Sequence, residues 1–158
     1  MRKKSFDPNT SMSLKKIMKI QGKKYLKCPC CLCQISPSHL NTLFKQVESL
    51  ESKHAIWWAR DAGKILQNID SFQWGCDTCL HSRKAIIAYP EKQTFCDTPP
   101  YLVYFDKELT CSTCNKFFNF SAKEQFFWYE TLKFWVQSEA KDCPACRKKA
   151  RDLKKSNK

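Results

Sequence analysis

Long apolar runs are missing from this chain, and none approaches the ~18 residues of a membrane span. The opening stretch, MRKKSFDPNTSMSLKKIMKI, is basic but has no continuous apolar core and no small-residue cleavage site, so it is a poor secretory signal. Histidine is scarce: only His39, His54 and His81 occur. A hydrolytic metal centre that relies on His with Asn or on paired His therefore has little to draw on, above all beyond residue 100. Acidic side chains are also in the minority, 15 against 28 Lys and Arg.

Cysteine is the residue the chain does have. There are 11, an odd number, and with one register chosen for Cys28–Cys33 eight of them fall in four C-x-x-C pairs. Adjacent C-x-x-C cysteines rarely form structural disulfides repeatedly, and one thiol would be left over, so a disulfide framework is the weaker reading. Metal ligation in a reducing compartment is the stronger one. A lone redox dithiol at Cys143-Pro-Ala-Cys146 would call for a βαβ pattern, which the sequence does not have. Four thiolates also bind iron, although the loop spacing differs from common cluster motifs.

Zinc takes a closed tetrahedron of thiolates, two from one tight turn and two from a distant segment. The pairs Cys111/Cys114 and Cys143/Cys146 meet that requirement, with 28 residues between them. So do Cys28/Cys31 and Cys76/Cys79, with 44 between. Cys28-Pro-Cys-Cys-Leu-Cys33 also offers the register Cys30/Cys33. The first register is favoured, because Leu two residues before Cys28 parallels Leu two residues before Cys111. His81 and Cys96 are read as packed or solvated rather than as ligands.

Between the first two pairs, Ser36-Pro37 reads as an N-cap followed by proline at the first helical position. Leu40, Leu43, Phe44, Val47 and Leu50 then follow at helical spacing. A second helical pattern is Ile56, Ala59, Ala62, Ile65, Leu66 and Ile69, with Trp57 and Trp58 beside it. Lys84–Tyr89 reads as a short strand, Pro90–Tyr101 as a linker or turn, and Leu102–Phe105 leads into the second unit. Asn115 suits the left-handed turn of a cysteine knuckle. Ser121-Ala-Lys-Glu124 is a capping box. Nine aromatics lie between Phe117 and Trp135, more than one helix face buries, so some must cover the first unit, meet a partner or stack on bases.

Leu109-Thr-Cys-Ser-Thr-Cys114, Phe118-Asn-Phe-Ser-Ala-Lys-Glu-Gln125 and Cys143-Pro-Ala-Cys-Arg-Lys-Lys149 together resemble the bacterial "probable zinc-ribbon" treble-clef family. That family has a C-x-x-C knuckle, a Phe-x-Phe-[ST]-Ala-x-Glu-Gln-x-Phe core and a closing Cys-Pro-x-Cys-Arg. The resemblance covers roughly residues 102–151. It implies a small zinc domain in a cytoplasmic protein, with Cys111, Cys114, Cys143 and Cys146 as ligands. The N-terminal half reads as a divergent second copy, from whose pattern the long insert between Cys31 and Cys76 departs.

The reading is a small, zinc-stabilised α+β protein of two treble-clef or zinc-ribbon-like units, the first with a helical insertion. Its parts are a basic tail (1–24), a first zinc unit (25–90), a linker (91–101), a second zinc unit (102–150) and a basic tail (151–158). Residues 1–27 hold nine Lys/Arg against one acid and residues 147–158 seven against one, which leaves the stretch between them at −1. Basic ends of this kind suit a polyanion. The expected function is a non-enzymatic, cytoplasmic zinc protein that binds RNA or DNA, ribosome-associated in one version. Arg147, Lys148, Lys149, Arg151, Lys154 and Lys155 would contact phosphates. The alternatives are a protein-interaction adaptor using exposed aromatics and, behind it, a treble-clef nuclease. No membrane or small-molecule partner is expected.

Overall fold

The computed structural model describes Gly22 and residues 25–156. The helical pattern Leu14, Ile17, Met18 and Ile20, and most of the basic N-terminal arm, lie outside the described residues. The chain divides into two compact units, one ending at Cys79 and the other beginning at Leu80. Both mix helix with short antiparallel strand pairs, in agreement with the α+β reading.

In the first unit, β1 (Leu26–Lys27) pairs antiparallel with β2 (Gln34–Ile35). Two helices follow, α1 (Asn41–Ser52) and α2 (Ala62–Gln67), and then a short α3 (Asp77–His81). The 3.6-residue spacing of α1 buries Leu43, Phe44, Val47 and Leu50, with Leu40 buried just before it. Ser36 does not cap this helix. Pro37–His39 forms a 3-10 turn, and α1 starts after it. The Asp77 carboxylate accepts from the Asn41 and Thr42 backbone N–H groups, at 3.0 Å each. A distant side chain thus supplies the acceptor that an N-terminal turn needs. Burial raises the Asp77 pKa, but these donors outweigh it and the net shift is downward.

The second apolar pattern is buried as expected at Ile56, Ala59, Ala62, Ile65, Leu66 and Ile69. Only residues 62–67 are α-helical, however. Asp61 starts α2 by accepting from the Lys64 N–H at 2.8 Å, and Asn68 caps it with its own N–H. The positions before and after sit in turns that still point inward.

In the second unit, β3 (Ala85–Ile87) pairs with β4 (Val103–Phe105), and β5 (Lys107–Thr110) with β6 (Phe117–Phe120). The Lys84–Tyr89 strand therefore belongs with the second unit rather than the first. The segment read as a linker is stitched into the same unit. Gln93 makes two 2.8 Å bonds to the Tyr101 backbone, and Val136 N–H donates to Thr94 O at 3.0 Å.

After β6 come α4 (Ala122–Phe126), a short π-helix at Phe127–Thr131 and α5 (Pro144–Ser156). Tyr104, Phe120 and Tyr129 are fully buried at the centre, with Phe118, Phe126 and Trp128 half-buried against them. The buried hydroxyls are mostly anchored: Tyr101 donates to Val136 O and Tyr129 to Ser138 O, at 2.7 and 2.6 Å. Phe117, Phe127, Phe134 and Trp135 remain exposed.

Candidate metal centres

Each unit builds one cage from its own cysteines, and the two cages share a set of backbone contacts. At the tip of the β1–β2 hairpin, Cys28 N–H donates to Cys33 O at 2.9 Å and Leu32 N–H to Cys28 O at 2.8 Å. At the tip of β5–β6, Cys111 N–H donates to Lys116 O and Asn115 N–H to Cys111 O, both at 2.9 Å. In both knuckles the residue after the second cysteine is left-handed, Leu32 at φ 61° and Asn115 at φ 57°. The third cysteine then turns its N–H on the first sulfur: Cys76 on Cys28 Sγ at 3.4 Å, Cys143 on Cys111 Sγ at 3.2 Å. In each unit a helix begins directly after that residue, so the fourth cysteine comes from its first turn.

The four sulfurs of Cys28, Cys31, Cys76 and Cys79 lie within 4.8 Å of one another, as do those of Cys111, Cys114, Cys143 and Cys146. This places the Cys28/Cys31 register in the cage rather than Cys30/Cys33. A zinc ion with Zn–S bonds of ~2.3 Å holds tetrahedral sulfurs about 3.8 Å apart. The observed separations are 4.0 Å for Cys31–Cys76, 3.6 Å for Cys76–Cys79 and 3.9 Å for Cys114–Cys143. Each cage therefore fits one zinc ion. None of the 11 cysteines is in a disulfide.

Ionisation within each cage is divided. Burial opposes ionisation of Cys111, but backbone N–H groups of Cys143, Cys114 and Thr113 outweigh it and bring the thiol down to about 6. The Cys143 contact and then burial push Cys146 up to about 12. In the first cage, burial again opposes Cys31, yet Cys33 backbone and Cys28 sulfur contacts lower it to about 7, while burial and Cys76 raise Cys79. Crowded thiolates repel one another, and a divalent cation is what lets all four ionise together.

Residues 105–155 match the family model described as a probable treble clef domain. Neither the curated proteins nor the solved structures contain a match to the chain. The treble-clef segment spans the second knuckle, the closing pair and all but the last residue of α5. Its motif residues have visible tasks. Ser121 Oγ accepts from the Glu124 N–H at 3.2 Å, and Ala122 is buried beside it. Gln125 is fully buried and donates to Phe105 O at 2.7 Å and Phe120 O at 2.8 Å, tying β4 to β6.

The Glu124 carboxylate pairs with the Arg147 guanidinium, so only half of the expected capping box forms. The Phe-x-Phe core and the Cys-Pro-x-Cys-Arg ending are thereby joined by one ion pair. In the first unit only the cage and knuckle geometry recur.

The six basic residues named from sequence do not behave alike. Arg147 is committed to Glu124 and lies 5.3 Å from the Trp128 ring centroid. It therefore braces the root of α5 rather than standing free for a phosphate. Lys148, Lys149, Arg151, Lys154 and Lys155 are all exposed along the helix. One further residue escaped the sequence reading. Asp142 accepts from Thr113 Oγ1 at 2.8 Å and sits 3.7 Å from Cys111 Sγ; an acid directly before a closing cysteine was the available signal. Neither His81 nor Cys96 belongs to a cage.

Proposed function

We propose that this chain is a non-enzymatic zinc protein that binds nucleic acid through α5. One observation carries the reading. A thirteen-residue helix rooted at Cys143 and Cys146 holds five exposed cations against a single acid, Asp152. Lys148, Arg151, Lys154 and Lys155 fall at helical spacings that keep them on one side. Cations on a metal-fixed base suit a regular row of phosphates better than cations on a flexible tail. No histidine follows His81, and His81 belongs to neither cage, which supports a binding role over metal-assisted hydrolysis. Cages of reduced thiols fit a reducing compartment such as the cytoplasm. Among the described residues, no helix is long and apolar enough to cross a membrane.

The test is fluorescence anisotropy with a labelled oligonucleotide over a salt series. If all five cations meet phosphates, log K against log salt should fall with a slope of roughly −3.5 to −4.5. Truncation after Ala150 removes only exposed residues among those described. It should spare both zinc ions and the fold while making the slope shallower by two to three, on the order of one per lost cation. Salt-insensitive binding, or a truncation without effect, would overturn the reading. An adaptor role is the second reading, favoured by Phe117 at 73% exposure and Phe127 at 50%. A protein complex that survives nuclease and high salt would select it.

A further inference from the structure

We infer that the nucleic acid taken by this site is single-stranded, with one base stacked on Phe134 while its phosphates follow the cationic side of α5. This rests on the nucleic-acid reading above and deepens it. Trp128 is the common neighbour that joins the two halves of the site. Fully buried Phe120 packs against it at 5.1 Å between centroids, Phe134 meets it edge-on at 5.2 Å, and the Arg147 guanidinium lies over it at 5.3 Å. An aromatic ring and the root of the basic helix are thus both fixed to the same indole.

Phe134 is not a loosely hanging side chain. Lys133 turns the chain with a left-handed φ of 61°, and Phe134 N–H donates to Trp128 O at 3.0 Å. Lys133 Nζ also donates to Lys92 O at 2.5 Å. The residue is nonetheless 41% exposed. A half-open aromatic braced against the half-buried Trp128 has less rotamer freedom to lose on binding, which favours stacking on a planar ligand.

Charge selects among planar ligands. Arg147 is neutralised by Glu124 and acts as a positioning residue that sets α5 against Trp128. The cations free to meet phosphate begin at Lys148 and continue to Lys155. A duplex offers phosphates but keeps its base faces stacked on one another, so it gains nothing from Phe134. An unpaired strand offers both.

The test compares a short labelled oligo(U) with a blunt duplex of equal length, by anisotropy on the full chain with its zinc. Oligo(U) should bind more tightly. Phe134→Ala should weaken oligo(U) binding by roughly 5- to 150-fold, the range of one lost base stack, and leave the duplex and the salt slope unchanged. Phe134→Tyr should bind as wild type, which separates loss of stacking from loss of fold. Photo-crosslinking of thiouridine-substituted RNA to the wild-type chain should label the peptide around Trp128–Trp135. Equal binding of duplex and single strand, an unaffected Phe134→Ala, or crosslinks confined to α5 would overturn the stacking inference while the charge reading stands. Absence of binding to either probe would remove both.

Discussion

Replacing Cys143 by serine tests how far the second unit depends on its clasp. Cys143 supplies one of four sulfurs, and its sulfur lies 3.9 Å from that of Cys114. Metal bridging these residues closes a loop with 28 residues between them. Constraining a loop of that length removes about 3–4 kcal/mol of chain entropy from the unfolded state. Small domains have only about 5–15 kcal/mol of net stability, and apparent zinc affinities in finger peptides correspond to roughly 10–16 kcal/mol. The unit's own apolar core centres on a few residues, chiefly Tyr104, Phe120 and Tyr129, so it should not fold without the clasp. The first cage draws its ligands entirely from before Leu80 and should be spared. Cys143→Ser should therefore carry one zinc ion instead of two by native mass spectrometry. The near-UV circular dichroism of the second unit's aromatics should disappear. Retention of both ions, or wild-type cooperative melting under reductant and chelator, would refute the dependence.

Two smaller perturbations follow from backbone and burial. Leu32 is left-handed and 67% exposed, so Leu32→Asn should lose no packing and relieve strain; chemical denaturation should show about 1 kcal/mol of added stability. Glu130 is buried, with Oε1 accepting from Tyr89 N–H at 2.8 Å and the carboxylate facing the Tyr104 side chain. Burial raises its pKa, so the folded state holds the proton more tightly and stability from this group is lost as pH rises through the folded value. Glu130→Gln, neutral throughout, should be as stable as wild type or more so at neutral pH, with the difference shrinking toward pH 5 in paired melting curves.

Much of the metal chemistry was legible from sequence because coordination imposes spacing: two thiols per turn, twice, per site. The face of α1 was legible for a similar reason, since helix geometry repeats every 3.6 residues. Non-local contacts were not. Nothing near Ser36 announces that Asp77 caps α1, and only the fold brings Asp77 to Asn41. The pattern 56–69 gave the buried positions correctly but not the helix length, because turns can point side chains inward at helix-like intervals. Arg147 read as one cation in a basic run. Its partner Glu124 lies 23 residues earlier in the chain, and only the fold brings the two together.

The outer part of α5 has a physical consequence of its own. From Lys148 to Ser156 every residue is solvated, so no apolar packing holds that stretch wound, and so short a helix in water is marginal on propensity alone. Five like charges along it repel, and that repulsion eases as counterions gather. The amount of helix there should thus follow ionic conditions, loosening in dilute buffer and tightening beneath a polyanion. Contact with phosphate would then lengthen a rigid arm whose inner end the zinc cage already holds still.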